Sequence, residues 1–183
     1  MSKFLQSAAA AVNGAAPAAQ PEAPAFELVE FPLDKLAAEM PAQTRVMLDV
    51  DAVADYARDM STEEGLAEFL RFPVHLFEDA DGTVRISRGH TRIAAARQAG
   101  MTHYPARLYK GDARAAVVHA LGDNAQHGKK RSRADLLHEL DMVLLDPQLA
   151  MWTDREIARR VRCSHTAVGD RRAYWKSQGE GTD

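Results

Sequence analysis

Residues 83–100 constrain the fold most, because in them a strand pattern passes to a helix pattern through one glycine. Val84 and Ile86 alternate with Thr83, Arg85 and Ser87, the period of a half-buried strand. Ile93, Ala94 and Ala96 have helical composition, and the run stops at Gly100. Gly89-His90-Thr91-Arg92 stands between the two patterns. A helix opening after a glycine leaves its first N–H groups unpaired at the positive end of its dipole, so an anion fits there, with Arg92 closing on it. The alternative is a plain strand-to-helix turn with a solvated arginine.

The surrounding pattern alternates elements in the manner of an α+β unit. Phe26 to Phe31 reads as a strand ended by Pro32, and Asp51 to Met60 places Val53, Ala54, Ala57 and Met60 at helical spacing. Pro73 to Phe77 and Thr83 to Ser87 flank an Asp79-Ala80-Asp81-Gly82 turn, as in a hairpin, and Ala106 to Tyr109 supplies a further strand. Beyond Gly111 the chain turns helical. Val117, Ala120, Leu121 and Asn124 share a stripe, so Asp123 and Asn124 are expected near a helix end. Ser132-Arg133-Ala134-Asp135 and Thr153-Asp154-Arg155-Glu156 both read as capping boxes.

The second box opens a short helix with Ile157, Ala158 and Val161 inward. Ser164 caps the next, with Ala167 and Val168 inward. This is the spacing of a helix-turn-helix over 153–175, whose second helix enters the major groove N-terminus first. His165, Thr166, Gly169 and Asp170 then face bases beside Ser164, while Arg155, Arg159, Arg160, Arg162, Arg171, Arg172 and Lys176 face phosphates, with Lys129, Lys130 and Arg131 in the preceding basic loop. Two features depart from the common pattern: Arg162 stands where the turn often has glycine, and Arg171 where an apolar residue is usual.

Charge is divided to match. Residues 107–178 hold 14 Lys and Arg against 9 Asp and Glu, whereas the whole chain of 183 residues has net charge −3. A partner feels only the local field, within about 10 Å. The basic part therefore suits duplex DNA. No run approaches eighteen apolar residues, so a membrane span is excluded. One cysteine forbids an internal disulfide and fits a reducing cytoplasm. The histidines fall into no zinc-binding spacing. Residues 1–25 are Ala- and Pro-rich, too polar for a signal peptide, and read as a disordered tail; 179–183 is a second tail.

Gly89-x-x-Arg92-x-x-Ala95 resembles the G-x-x-R-x-x-A box of the ParB/sulfiredoxin superfamily. Other boxes agree in order. Gln43-Thr44-Arg45 resembles its Q-x-R entry, Phe72-Pro73-Val74 its Q-P-I strand start, and Asp123 to His127 its E-N-x-x-R box. The resemblance implies a ParB/sulfiredoxin-like α+β domain over 26–110, followed by an all-α helix-turn-helix domain over 111–178. It implies nucleotide at Ser87, Gly89, His90, Thr91, Arg92 and Asn124, with CTP as the nucleotide and Mg²⁺ on Asp123 and Asn124. A weak CTPase activity, a ParA-type ATPase as partner and a homodimer are compatible with it. Sulfiredoxin itself is excluded, since His90 stands where it needs cysteine. The superfamily's free-serine kinases share Gly89 to Arg92 but have Asp where this chain has Arg88. The expected role is partition of plasmid, phage or chromosome, or transcriptional control. A nucleotide-dependent enzyme, either kinase-like or a nuclease, and an adaptor without nucleotide stay open.

Overall fold

The computed structural model describes residues 25–123 and 131–179. Four strands, β1 (Phe26–Pro32), β2 (Val74–Glu78), β3 (Val84–Arg88) and β4 (His103–Lys110), form one sheet in the order β1-β4-β2-β3. β4 pairs antiparallel with β1 and parallel with β2, while β2 and β3 make the antiparallel hairpin that the Asp79 to Gly82 turn predicts. The helices are α1 (Val50–Met60), α2 (Glu63–Leu70), α3 (His90–Gln98), α4 (Ala113–Ala120), α5 (Arg133–Leu144), α6 (Asp154–Val161) and α7 (His165–Gly179).

The sheet is covered on both faces. Val74, Leu76, Val84 and Ile86 alternate onto the face packed by α1 and α3, with Ile93 and Tyr104 closing that core. On the opposite face Phe77 and Tyr109 meet Ala116 and Ala120 of α4. A third cluster joins Leu140, Val143, Ile157, Val161 and Val168 of α5, α6 and α7. Val117 of α4 touches both of the last two clusters, so one helix ties the sheet to the helical region.

Caps explain most helix starts. Asp49, Thr62, Asp112, Ser132, Thr153 and Ser164 each accept a backbone N–H three residues on. The Ser132–Asp135 box is reciprocal. The second box is only half made: Thr153 caps, but the Glu156 carboxylate turns to Arg159 and Arg160. Helix α2 adds to the elements expected from the sequence, although Thr62 and the acidic first turn Glu63–Glu64 signal it. Helix α4 ends at Ala120 and Gly122 turns the chain with φ 71°, which leaves Asp123 just past the helix end, as expected; Asn124 lies outside the described residues. Among the described residues no helix is long and apolar enough to cross a membrane.

Candidate functional site

The strand-to-helix turn forms as the sequence predicts, but most of its polar side chains face inward. Gly89 has φ 99°, in the left-handed region, and a Cβ there would lie 2.5 Å from Val74 Cγ1. Glycine is therefore required twice, by conformation and by close packing. Ser87, expected at the nucleotide, is 2 % exposed; its hydroxyl donates to the Ala116 carbonyl at 3.1 Å and lies 2.7 Å from His119 Nδ1. The strand is covered on its second face by α4, which the alternation alone cannot show. His90 is also buried, its Nε2 has no hydrogen-bond partner, and burial drives its pKa down to about 4. Thr91 and Arg92 are half-buried. Arg92 donates to the carbonyl of Phe72, and to that of Pro73 at 3.5 Å, just before the first paired residue of β2. Arg92 is thus anchored on the backbone that leads into β2.

The register of the sheet assembles a cationic row that the sequence reading missed. Leu28 lies opposite Arg107, Arg107 beside His75, and His75 opposite Arg88, across all four strands. His119 of α4 stacks over this row, with ring centroids 5.1 Å from both His75 and Tyr109. Tyr109 O–H and His75 Nδ1 share a hydrogen bond of 3.1 Å. Burial, then the nearby arginine charges, hold His75 at about 4, while burial, Arg88 and His75 hold His119 at about 3. Both rings are thus neutral at physiological pH, and the fixed positive charge here belongs to arginine.

Arg88 donates to the His119 carbonyl at 2.8 Å and pairs with Asp123 at 3.3 Å. The Nε atoms of Arg88 and Arg107 are buried without a hydrogen-bond partner. Among the described residues one carboxylate faces these guanidinium groups, so their positive field is incompletely offset there. Any Mg²⁺ at Asp123 would compete with Arg88, and Asn124, the other expected ligand, lies outside the described residues. Among the described residues no group of three acidic, histidine or cysteine side chains is placed to hold a metal ion. The donor set does not fit a metal site by itself.

The Gln43-Thr44-Arg45 box packs against α5. His138 Nε2 lies 2.9 Å from the Gln43 carbonyl, the Val46 N–H donates to Asp135 at 3.1 Å, and Arg45 stands 3.9 Å from the same carboxylate.

The cations expected at DNA divide into two sets. Arg171 is fixed by Asp141 at 2.6 and 2.5 Å, and Trp175 Nε1 donates to the same carboxylate at 2.6 Å. This is how a charged residue occupies the usually apolar position: Asp141 of α5 supplies its partner, and Tyr174 and Trp175 cover the guanidinium. Arg172 bonds Asp154 and the carbonyls of Ala150 and Trp152. Arg131, 11 % exposed in its side chain, pairs with Glu139. Arg160 bonds Glu156 and lies 4.2 Å over the Trp152 ring. These four serve the fold.

Arg155, Arg159, Arg162 and Lys176 are exposed. Arg162 adopts φ 57°, the left-handed conformation for which this turn usually has glycine. Ser164, His165, Thr166 and Asp170 are exposed at and near the start of α7, and Gly169 is half-buried near Asp154. Lys129 and Lys130 lie outside the described residues.

No family model matches the chain, and no curated protein does. Among solved structures it is similar to the C-terminally truncated chromosome-partitioning protein ParB from Caulobacter crescentus complexed to the centromeric parS site. The TM-score is 0.51 at 19 % identity, over 79 % of this chain and 70 % of that one. A structure of the same C. crescentus protein complexed with CTP-gamma-S gives a TM-score of 0.45 at 21 % identity, over 80 % and 77 %. The architecture of this chain, a mixed sheet with helices on both faces followed by a helical region, is that of a ParB-like α+β fold.

Proposed function

We propose that this chain is a ParB-like protein that binds duplex DNA through α6 and α7. The observation that carries the reading is the exposed cationic surface of α6 and its turn, which includes Arg159 although Glu156 beside it is its ion-pair partner. Arg155 and Arg159 on α6 and Arg162 in the turn stay exposed beside Ser164, His165 and Thr166, at the N-terminal end of a 15-residue helix. Cations there meet phosphates, and the small polar residues meet base edges. Lys129, Lys130 and Asp170 complete the proposed interface, whereas Arg131, Arg160, Arg171 and Arg172 hold it in shape. The ParB-like fold supports the reading, since the similar protein is complexed to its parS DNA. Partition or transcriptional control is the role, with a ParA-type ATPase and a second copy of the chain as proposed partners.

A nucleotide, CTP by the sequence resemblance, is proposed to place its phosphates between the Gly89 turn and the row of Arg107, His75 and Arg88. The incompletely offset arginines favour this over an adaptor that binds none. Phosphate oxygens can accept from the free Nε groups and draw Arg88 from Asp123. Electrophoretic mobility shift with duplex DNA, and a thermal-shift screen of CTP, ATP and GTP, test the two parts separately. A ligand at 100 times its dissociation constant stabilises by about 2.7 kcal/mol. Retarded duplex and a shift with CTP are expected; free duplex at all protein concentrations overturns the first part, and no shift with any nucleotide the second.

A further inference from the structure

Glu139 is the one carboxylate among the described residues that is fully buried, at 0 % exposure on α5. Its Oε2 accepts from the Gly122 N–H at 3.3 Å and from Arg131 Nη1 at 2.9 Å; its Oε1 has no partner. Arg131 in turn donates to the Val161 carbonyl at 2.7 Å and the Arg162 carbonyl at 3.1 Å. Those are the end of α6 and the left-handed residue that starts the turn into α7. Gly122 lies against the same place: a Cβ on it would collide with the Arg160 carbonyl oxygen. One buried carboxylate thus ties the end of α4 and the start of α5 to the α6–α7 turn.

We propose that Arg131 and Glu139 form a latch that holds the α6–α7 turn in its DNA-engaging position while Glu139 is ionised and releases it on protonation, so that duplex affinity depends on pH. The inference rests on the assignment of α6 and α7 as the DNA-binding pair. A guanidinium this buried needs a counter-charge, and a neutral Glu139 removes it. The groups facing Glu139 are Arg131, the Gly122 N–H, Asp135 on its own helix and the Cys163 thiol in the turn. Burial outweighs Arg131 and the Gly122 N–H and, with Asp135, lifts the Glu139 carboxyl to about 7. A raised carboxyl means the folded chain takes up a proton more readily than the unfolded one. Folding is therefore favoured below the ordinary carboxylate range, and that advantage is lost as pH rises through about 7. The closed latch is held against this cost, which makes it switchable.

The test is fluorescence anisotropy of a labelled duplex of arbitrary sequence, at pH 6 and pH 8, with wild type and Glu139→Gln. Glutamine keeps the shape and the Gly122 acceptor but mimics the protonated acid. The ionised fraction changes about tenfold between the two pH values, and apparent affinity scales with the competent fraction. The ratio of wild-type to Glu139→Gln affinity should rise about tenfold from pH 6 to pH 8, and taking the ratio cancels pH effects that both proteins share. An equal ratio at both pH values overturns the latch and leaves the DNA reading intact. If wild type binds no duplex, amide exchange of Cys163, whose N–H donates to the Ala158 carbonyl, reads the turn directly. Protection lost at pH 6 in wild type and at both pH values in Glu139→Gln supports the latch; identical protection in all four cases overturns it.

Discussion

The arginines of the sheet face, Arg88 and Arg107, and those of α7, Arg171 and Arg172, differ in what opposes them. On α7, Arg171 has Asp141 and Arg172 has Asp154, each at ion-pair distance. On the sheet, Arg88 has Asp123 as its one carboxylate among the described residues, and Arg107 is set over the Phe26 ring at 4.9 Å. The proposed anion site is therefore placed by unmatched charge and not by the number of arginines. Exposure moves the proposed DNA contacts from α7 itself to Arg155 and Arg162, and to Arg159, whose pair with Glu156 lies at the surface.

The largest expected effect concerns the turn that presents the sheet-face site. Gly89→Ala adds a methyl against Val74 in a left-handed conformation and should cost on the order of 2–4 kcal/mol. Gly100 has φ 78° but open space where a Cβ would stand, so Gly100→Ala should cost only about 1–2 kcal/mol. Chemical denaturation of both variants checks this, and equal losses would show that Val74 packing does not matter. Next, Asp141→Asn should lower stability by roughly 1–3 kcal/mol by weakening the contacts to Arg171 and Trp175. The salt dependence of DNA binding should not change, since Arg171 is not a phosphate contact here; a flatter slope contradicts the division into two sets.

Arg88→Gln should raise the nucleotide dissociation constant tenfold or more, about 1.4 kcal/mol, in calorimetric titration. It should also move His75 and His119 back up toward the ordinary histidine range, since Arg88 lowers both. These rings are neutral in the folded chain down to about 4 and 3, so their contribution to stability is present above about 6.5 and lost as pH falls toward those values. In Arg88→Gln the acid loss should still set in below about 6.5 but end at a higher pH and be smaller overall, with the rise of the two folded rings read by NMR titration of the ring protons.

The strands, the glycine turn and the helix starts are legible because their causes are local: alternation, a left-handed glycine, a Ser, Thr or Asp cap. Helix α2 carries the same kind of local signal, at Thr62 and Glu63, without a long apolar stripe to draw attention to it. The sheet-face site is hidden in the sequence because His75, Arg88 and Arg107 come together only through the pairing of β2 with both β3 and β4. Ser87 and His90 carry the right chemistry for a phosphate turn, but α4 and the α3 core cover them, and nothing local announces the covering helix. Arg171 and Arg131 mislead for the same reason: the carboxylates that neutralise them lie 30 and 8 residues away, outside the segments that make each look like a DNA contact.

The central claim is that the exposed cations of α6 and its turn meet DNA phosphates, and the salt dependence of duplex affinity tests it most directly. Each phosphate contact contributes a slope of about −0.9 in log affinity against log salt. Replacing Arg155, Arg159 and Arg162 together by Ala should flatten the slope by nearly three, with thermal stability held. A slope unchanged by the triple replacement would contradict the account and place any DNA contact elsewhere on the molecule.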